Sequence, residues 1–263
     1  MTRSLTYSAL TLRVKSIGES NREAWFLSPR EGIIRATVFG GPKSRLRSQV
    51  SPFHSGTLWL YHDPVKDSRK VSDFDVKSYR TGIREVYERA MAADVVAETI
   101  LASHGGGGGW VTALMLAENV LDALETADPE ACTRYGVYFF WRWSEILGIR
   151  PEISSCSSCA CEAKRDGVLW YSGGREAVLC ETCLQRAGLN CKPLPGLSAG
   201  KDGDHLIRID PGARLWLKEA ESLPAGAVAR VSLDARSLEQ ARALSQAVLA
   251  AALGKKLPTW EYI

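Results

Sequence analysis

The sequence of 263 residues lacks the patterns by which many enzymes are recognised. It contains only four histidines, and none stands in the H-E-x-x-H pattern of zinc proteases or in an H-x-E pattern followed by P-C-x-x-C, which marks zinc deaminases. The patterns G-x-S-x-G, G-x-G-x-x-G and G-x-x-x-x-G-K-[ST] are absent too. These absences argue against an active site, and we expect a protein that is not an enzyme.

Long apolar runs are also missing. No segment approaches the roughly 18 apolar residues of a membrane span. Residues 1–16 mix polar and apolar groups and do not resemble a secretory signal. We therefore expect a cytoplasmic protein without a membrane segment. In that compartment the seven cysteines are expected to be reduced, and paired cysteines indicate a metal site rather than disulfides.

The chain has little net charge, +3, but its cations are unevenly placed. Residues 1–80 contain fourteen Lys and Arg against seven Asp and Glu, a balance of +7. Residues 81–263 contain nineteen against twenty-three, a balance of −4. A basic first third on a mildly acidic remainder predicts a module that binds a polyanion, attached to something else.

Two Cys-x-x-Cys pairs form the most specific pattern in the sequence. Cys156 and Cys159 are separated by twenty residues from Cys180 and Cys183, which matches the spacing of zinc sites. Each pair offers two thiolates from a tight turn, and four sulfurs fill a tetrahedral Zn²⁺ sphere, so the predicted metal is structural. Cys161 is an alternative to Cys159. Four reduced cysteines without metal are the other interpretation, while a thioredoxin-like motif is disfavoured because no βαβ pattern surrounds it.

Alternation of apolar and polar residues predicts strands throughout the first 80 residues. Five short strands joined by turns fit a small closed barrel such as an OB-fold, with a sandwich as the alternative. The predicted strands are 7–17, 22–27, 33–39, 57–61 and 71–76.

A basic segment follows the third predicted strand, where Gly40-Gly41 leads into Pro42-Lys43-Ser44-Arg45-Leu46-Arg47. If this segment is extended, its three cations point to one side, which suits contact with phosphates. A solvated surface loop is the alternative. The candidate nucleic-acid contacts are Arg13, Lys15, Arg35, Lys43, Arg45 and Arg47.

Aromatic residues are frequent in the same region. Some are candidates for stacking on bases, although most are expected in the core, and the sequence does not sort them. They are Trp25, Phe26, Phe39, Phe53, Trp59 and Tyr61.

Beyond residue 80 the apolar residues recur with a helical period. The first helix is predicted with one apolar face formed by Ile83, Val86, Tyr87, Ala90, Met91 and Val95. The five glycines 105–109 predict a loop, and a second helix begins at Trp110. A third begins at Pro129 and ends near Gly148. A short helix is predicted over 213–223, and a capping box of Ser237 and Gln240 predicts the start of the last helix.

These segments predict an α+β fold in three parts. An N-terminal OB-fold β-barrel, residues 1–80, is followed by a helical domain, residues 81–150 and 190–263. A zinc finger with four cysteine ligands, residues 151–189, is inserted into the helical domain.

The order of these parts resembles the bacterial RecO family of DNA repair proteins. The resemblance is carried by the Gly-Gly-x-Lys-Ser-Arg-x-Arg segment with Ser51-Pro52-Phe53 after it, by Leu147-Gly148-Ile149-Arg150-Pro151, and by the paired cysteines with Gly173-Gly174 between them. The sequence departs from the family pattern at Ala160, where glycine is common, in the extra Cys161, and in the five-glycine loop.

The resemblance implies a recombination mediator that binds single- and double-stranded DNA and anneals complementary strands. It implies that the protein works with RecR, meets the C-terminal tail of the single-strand DNA-binding protein and helps load RecA onto strands covered by that protein, at the nucleoid. It also implies Zn²⁺ at the four paired cysteines and DNA contacts from Lys43, Arg45 and Arg47. A zinc-containing interaction scaffold and a thiol redox enzyme are the alternatives.

Overall fold

A computed structural model describes residues 3–40, 44–189, 198–199 and 205–263. The chain divides into two compact units, Met1–Cys132 with Tyr262 and Thr133–Glu261 with Ile263. The three-part domain boundaries at residues 80, 150 and 190 stay a prediction. No helix in the described ranges is long and apolar enough to cross a membrane.

The first unit begins with a closed five-stranded barrel of strand order β1-β2-β3-β5-β4. Neighbouring strands are antiparallel except β3 and β5, which are parallel and close the barrel. The closed barrel predicted from the alternation is therefore confirmed, and the sandwich is not formed. The strands are Ser4–Ile17 (β1), Asn21–Ser28 (β2), Gly32–Val38 (β3), Ser55–Asp63 (β4) and Ser68–Ser78 (β5).

The barrel interior is filled by one apolar side chain from every second strand position, as a pleated strand requires. Phe26 and Phe74 meet edge to face, with ring centroids 5.9 Å apart, and both are fully buried. A five-residue helix, Arg45–Gln49 (α1), lies between β3 and β4. Its Leu46 and the following Val50 pack against the barrel core, so this helix is anchored to the barrel by its apolar side.

Two helices complete the first unit, Tyr87–Ala102 (α2) and Trp110–Glu125 (α3). The predicted apolar face of the first helix is wrong in part: Ile83 and Val95 are buried, but Val86 is extended and separates a 3₁₀ turn, Thr81–Glu85, from α2. The break changes the helical phase, so Tyr87 is 64% exposed. Helix α3 begins at the predicted Trp110 and buries seven residues: Ala113, Leu114, Leu116, Ala117, Val120, Leu121 and Leu124.

The predicted glycine loop between α2 and α3 is confirmed, and its first turn shows why glycine is needed. The His104 amide donates to the Leu101 carbonyl and the Gly105 amide to the Ile100 carbonyl, a Schellman ending of α2. Gly105 has φ +78°, and a Cβ there would lie 3.3 Å from Cγ1 of Ile33. The backbone therefore approaches the barrel at a position where a side chain has little room.

A buried arginine joins the barrel to α3. Arg80 is 3% exposed, and its Nε donates to Oδ1 of Asp122 at 2.6 Å. Its Nη1 donates to the Phe53 carbonyl at 2.8 Å and to the Ser55 hydroxyl at 3.1 Å. Because both acceptors belong to buried parts of the chain, they depend on this one guanidinium for partners.

We expect Arg80→Met to lower the free energy of unfolding by roughly 2–4 kcal/mol, because two buried acceptors lose their donor while the half-exposed Asp122 can be solvated. Urea unfolding measures the loss. Arg84→Met is the matched control, because Arg84 donates to the Pro52 carbonyl at an exposed position, and its cost should stay below about 1 kcal/mol. If both variants lose the same free energy of unfolding, the buried hydrogen bonds of Arg80 contribute no more to stability than the exposed one of Arg84.

The second unit contains the larger part of α4, Pro129–Ile146, which begins at the predicted residue. Phe139, Phe140 and Trp143 of this helix are buried. Phe139 stacks on Trp143 with centroids 5.2 Å apart, and Phe140 meets Trp260 at 4.9 Å. Further helices towards the C-terminus are Pro211–Ser222 (α6), Ala225–Val228 (α7), Ala235–Leu253 (α8) and the 3₁₀ turn Pro258–Tyr262.

The last long helix does not begin with the predicted capping box. Asp234 is its N-cap and accepts a hydrogen bond from the Ser237 amide at 3.0 Å. The Ser237 hydroxyl lies 2.7 Å from Oδ2 of Asp234 and 2.9 Å from Oδ1 of Asp210, which caps α6. Ser237 therefore links two helix starts instead of capping one, a contact that local spacing cannot reveal.

Candidate metal centre and nucleic-acid interface

A small sheet of order β7-β6-β9-β8 positions one cysteine pair. Cys180 ends β7 and is the N-cap of the six-residue helix α5, Glu181–Arg186, so Cys183 falls in its first turn. The strands are Leu169–Ser172 (β6), Ala177–Cys180 (β7), Ser198–Ala199 (β8) and His205–Ile209 (β9).

The other cysteine pair sits in a tight turn beside this sheet. The Ala160 amide donates to the Cys156 carbonyl at 2.9 Å, and Ala160 has φ +56°. Glycine adopts this left-handed conformation more readily than alanine does. The Ser157 amide donates to the Val178 carbonyl at 2.8 Å, which fixes the turn against β7.

The two turns bring four sulfurs together. The Sγ atoms of Cys156, Cys159, Cys180 and Cys183 all lie within 4.8 Å of one another, and those of Cys159 and Cys180 are 3.8 Å apart. Four sulfurs at the usual Zn–S distance of about 2.3 Å from a tetrahedral ion would be about 3.8 Å apart. Cys161 is not part of this group, so the geometry favours Cys159 over Cys161. The donor set fits Zn²⁺.

The thiols of this cluster are unequal. Burial opposes ionisation of Cys156, but amide hydrogen bonds from Cys180, Cys159 and Ser158 lower its pKa to about 6. A hydrogen bond to Ser158 favours the thiolate of Cys183, yet its contacts with neighbouring cysteine thiols and its burial raise its pKa to about 12. Four thiolates this close repel one another, and a bound dication removes that repulsion. The cluster therefore has the electrostatics of a cation site.

Residues 45–47 of the basic segment are helical and not extended, which corrects the conformation on which the predicted alignment of its cations depends. Arg45 and Arg47 lie in α1. Residues two positions apart in a helix are rotated by about 200° around its axis, so the two side chains point to opposite sides of α1. Arg45 is exposed and Arg47 is half-buried. Lys43, the third predicted contact, lies outside the described residues.

Arg22 is a cation that the sequence analysis missed. It lies on β2, and its Nη2 donates to the Arg47 carbonyl. Burial, and then the charge of Arg47, lower the pKa of Arg22. Within the described parts of the chain, neither Arg22 nor Arg47 has an acidic partner at ion-pair distance. Two cations held together without a counter-charge indicate a place for an anion.

The remaining predicted cations lie on the outer face of the barrel. Arg13 on β1 and Arg35 on β3 are both cross-strand partners of Trp25, with the Arg35 guanidinium 5.6 Å from the indole centroid. Lys15 is the partner of Glu23, and Glu23 also forms an ion pair with Arg35. The five predicted contacts that the structure describes thus fall into two groups, and the charge of Arg35 is already neutralised in part.

The structure sorts the aromatic residues of the barrel by burial. Phe26 and Phe53 are buried, and Trp25 and Trp59 are half-buried. Phe39 and Tyr61 remain 45% and 36% exposed. Of the six predicted rings, Phe39 and Tyr61 are the two that are exposed.

A closed barrel with cations that lack ion-pair partners, followed by helices and four clustered cysteines, defines a modular OB-fold protein with a site that could hold a metal ion. Two family models match the chain in order. "Recombination protein O N terminal" matches residues 1–79, and "Recombination protein O C terminal" matches residues 84–261. The chain belongs to the recombination protein O (RecO) family, whose members bind DNA and act in DNA repair and recombination. The resemblance seen in the sequence is confirmed.

Proposed function

We propose that this protein is a cytoplasmic recombination mediator that acts at the nucleoid. It binds single- and double-stranded DNA, anneals complementary strands, and helps RecR load RecA onto DNA covered by the single-strand DNA-binding protein, whose C-terminal tail it contacts. The observation that carries the proposal is the match of both family models, in order, over residues 1–79 and 84–261. The protein is not an enzyme in this proposal.

The cations of the barrel support a role in annealing. Two complementary strands repel one another through their phosphates, and a protein that neutralises phosphates on both lowers that barrier. Arg45 is exposed, and the neighbouring Arg22 and Arg47 have no carboxylate at ion-pair distance in the described part of the chain. With Arg13, Lys15, Arg35 and Lys43, they are the proposed phosphate contacts.

The four-cysteine module has a supporting part in this mechanism. We propose Cys156, Cys159, Cys180 and Cys183 as ligands of a structural Zn²⁺. When bound, the ion supplies charge neutralisation and crosslinking of two turns, and four sulfur ligands leave no position for a substrate. DNA is then held by side chains of the protein and not at the metal.

Annealing of two complementary labelled strands, each coated with the single-strand DNA-binding protein, tests the proposal. We expect the protein to accelerate annealing, and the acceleration to decline steeply as salt is raised. The reason is that the logarithm of the affinity for single strands falls with the logarithm of the salt concentration, with a slope of about −0.7 for each neutralised phosphate. No binding to either strand at low salt would contradict the proposal and favour the interaction scaffold. Thiols that remain reactive with metal bound would favour the redox enzyme.

A further inference from the structure

Two exposed aromatic rings and two cations lie side by side on the outside of the barrel. Lys70 on β5 is the cross-strand partner of Thr37 on β3 and of Tyr61 on β4, so the three side chains share one face. Phe39 follows Thr37 by two residues and lies on that face as well. The strand register therefore places Phe39, Lys70 and Tyr61 in a row.

The row alternates ring and charge. The Lys70 Nζ lies 5.2 Å from the Phe39 ring centroid. At the other end, Nη1 of Arg3 lies 3.4 Å from the Tyr61 hydroxyl oxygen. We call these four residues, Arg3, Tyr61, Lys70 and Phe39, the aromatic–cation strip.

Neither cation of the strip forms an ion pair in the described parts of the chain. Neither Lys70 nor Arg3 has a carboxylate at ion-pair distance there, in contrast to Arg35 and Arg69, which are paired with Glu23 and Glu31. Exposed rings beside unneutralised cations lose water contact and gain charge pairing when an aromatic polyanion covers them. The strip therefore complements a ligand that carries both flat rings and phosphates.

The hairpin turn between β4 and β5 extends the same surface. It projects from the two strands that carry Tyr61 and Lys70, and it exposes Val65 to 89% together with Lys66. In OB-folds the corresponding loop takes part in binding oligonucleotides. Tyr61 and Lys70 of the strip therefore lie on the two strands that this turn joins.

We propose that the aromatic–cation strip is a stacking site for single-stranded DNA, with bases on Phe39 and Tyr61 and phosphates at Lys70 and Arg3. The proposal rests on the proposed function and adds a basis for preferring single strands. Bases of a duplex are already stacked and paired, so they cannot cover the two rings, whereas an unpaired strand can. The strip contributes to single-strand binding and not to duplex binding.

The test compares Phe39→Leu/Tyr61→Leu with the parent on a thymidine strand, an abasic strand of equal length and a duplex. We expect thymidine-strand binding to weaken roughly tenfold per ring removed, on the order of 100-fold for the double variant. Duplex binding and the salt slope should stay unchanged, because no charge is removed. The parent should bind the abasic strand about as weakly as the variant binds thymidine, and the variant should not distinguish the two strands.

Tyr87→Leu is the matched control, because Tyr87 is an exposed ring on α2 and should leave all three affinities unchanged. Lys70→Gln should lower the single-strand salt slope by about 0.7, the value of one phosphate. Unchanged thymidine binding in the double variant, or an equal loss on the duplex, would overturn the strip while leaving the proposed function in place. A parent that binds none of the three would overturn both. Circular dichroism melting confirms that each variant is folded.

Discussion

Replacing Cys156 with alanine is expected to unfold the four-cysteine module and leave the barrel folded. The Cys156 thiol is 1% exposed and contributes one of the four sulfurs that lie within 4.8 Å of one another. A structural zinc is worth about 10–16 kcal/mol in finger peptides, comparable with the stability of about 5–15 kcal/mol of a whole domain. Hydrogen exchange should show loss of protection in β6 and β7, with protection kept in β1 and β2, which belong to the other compact unit. A chelator should have the same effect on the parent.

Cys161→Ala provides the control for this experiment. Cys161 is exposed, is close to the cluster in sequence, and is not one of the four gathered sulfurs, so its removal should leave metal content and protection unchanged. If Cys161→Ala loses the metal while Cys159→Ala keeps it, the ligand set is wrong. If the Cys156 variant retains metal and its protection pattern, the module does not depend on zinc. A folded Cys156 variant that no longer binds DNA would assign the module a direct part in binding.

The features that the sequence predicts well are those coded by local period and spacing. Alternation in the first 80 residues predicts five strands, because each inward position must be apolar along its whole strand. The cysteine spacing predicts the cluster, because the segment between the two pairs folds back as a hairpin and brings the two Cys-x-x-Cys turns close together. Helix α3 is predicted for the same reason, since its buried residues recur every three or four positions.

The features that the sequence does not predict depend on contacts made across the fold. Residues 45–49 form a helix because Leu46 and Val50 are anchored in the barrel core, and a five-residue helix has no stability alone. Arg22 joins Arg47 only after β2 and α1 are brought together. Lys70 and Tyr61 lie on two strands and Phe39 directly follows a third, so their row exists only in the observed register. Charge and aromatic content in the sequence indicate the kind of surface but not which residues share it.

The triple variant Lys43→Ala/Arg45→Ala/Arg47→Ala is expected to weaken binding to single strands of any sequence on the order of 1,000-fold at low salt. Charge-assisted hydrogen bonds contribute about 1.5 kcal/mol or more each, and contacts to phosphates carry no base preference. The log–log salt slope should fall by about 2, the value of three lost phosphates. Fluorescence anisotropy across a salt series, on strands of two unrelated sequences, measures both quantities.

A second variant, Arg236→Ala/Lys255→Ala/Lys256→Ala, separates local contact from net charge. It removes the same three charges from exposed positions in the second compact unit, so both variants change the formal net charge from +3 to 0. If only the overall charge attracts DNA, the two variants lose affinity equally and the slopes stay alike. If the basic segment contacts phosphates, only the first variant shows a smaller salt slope. The slope depends on the number of phosphates that the protein neutralises by contact, and not on charges elsewhere in the protein. Unchanged affinity and slope in the first variant would mean that the basic segment is solvated surface, and the phosphate contacts would then have to come from Arg22 and the outer face of the barrel.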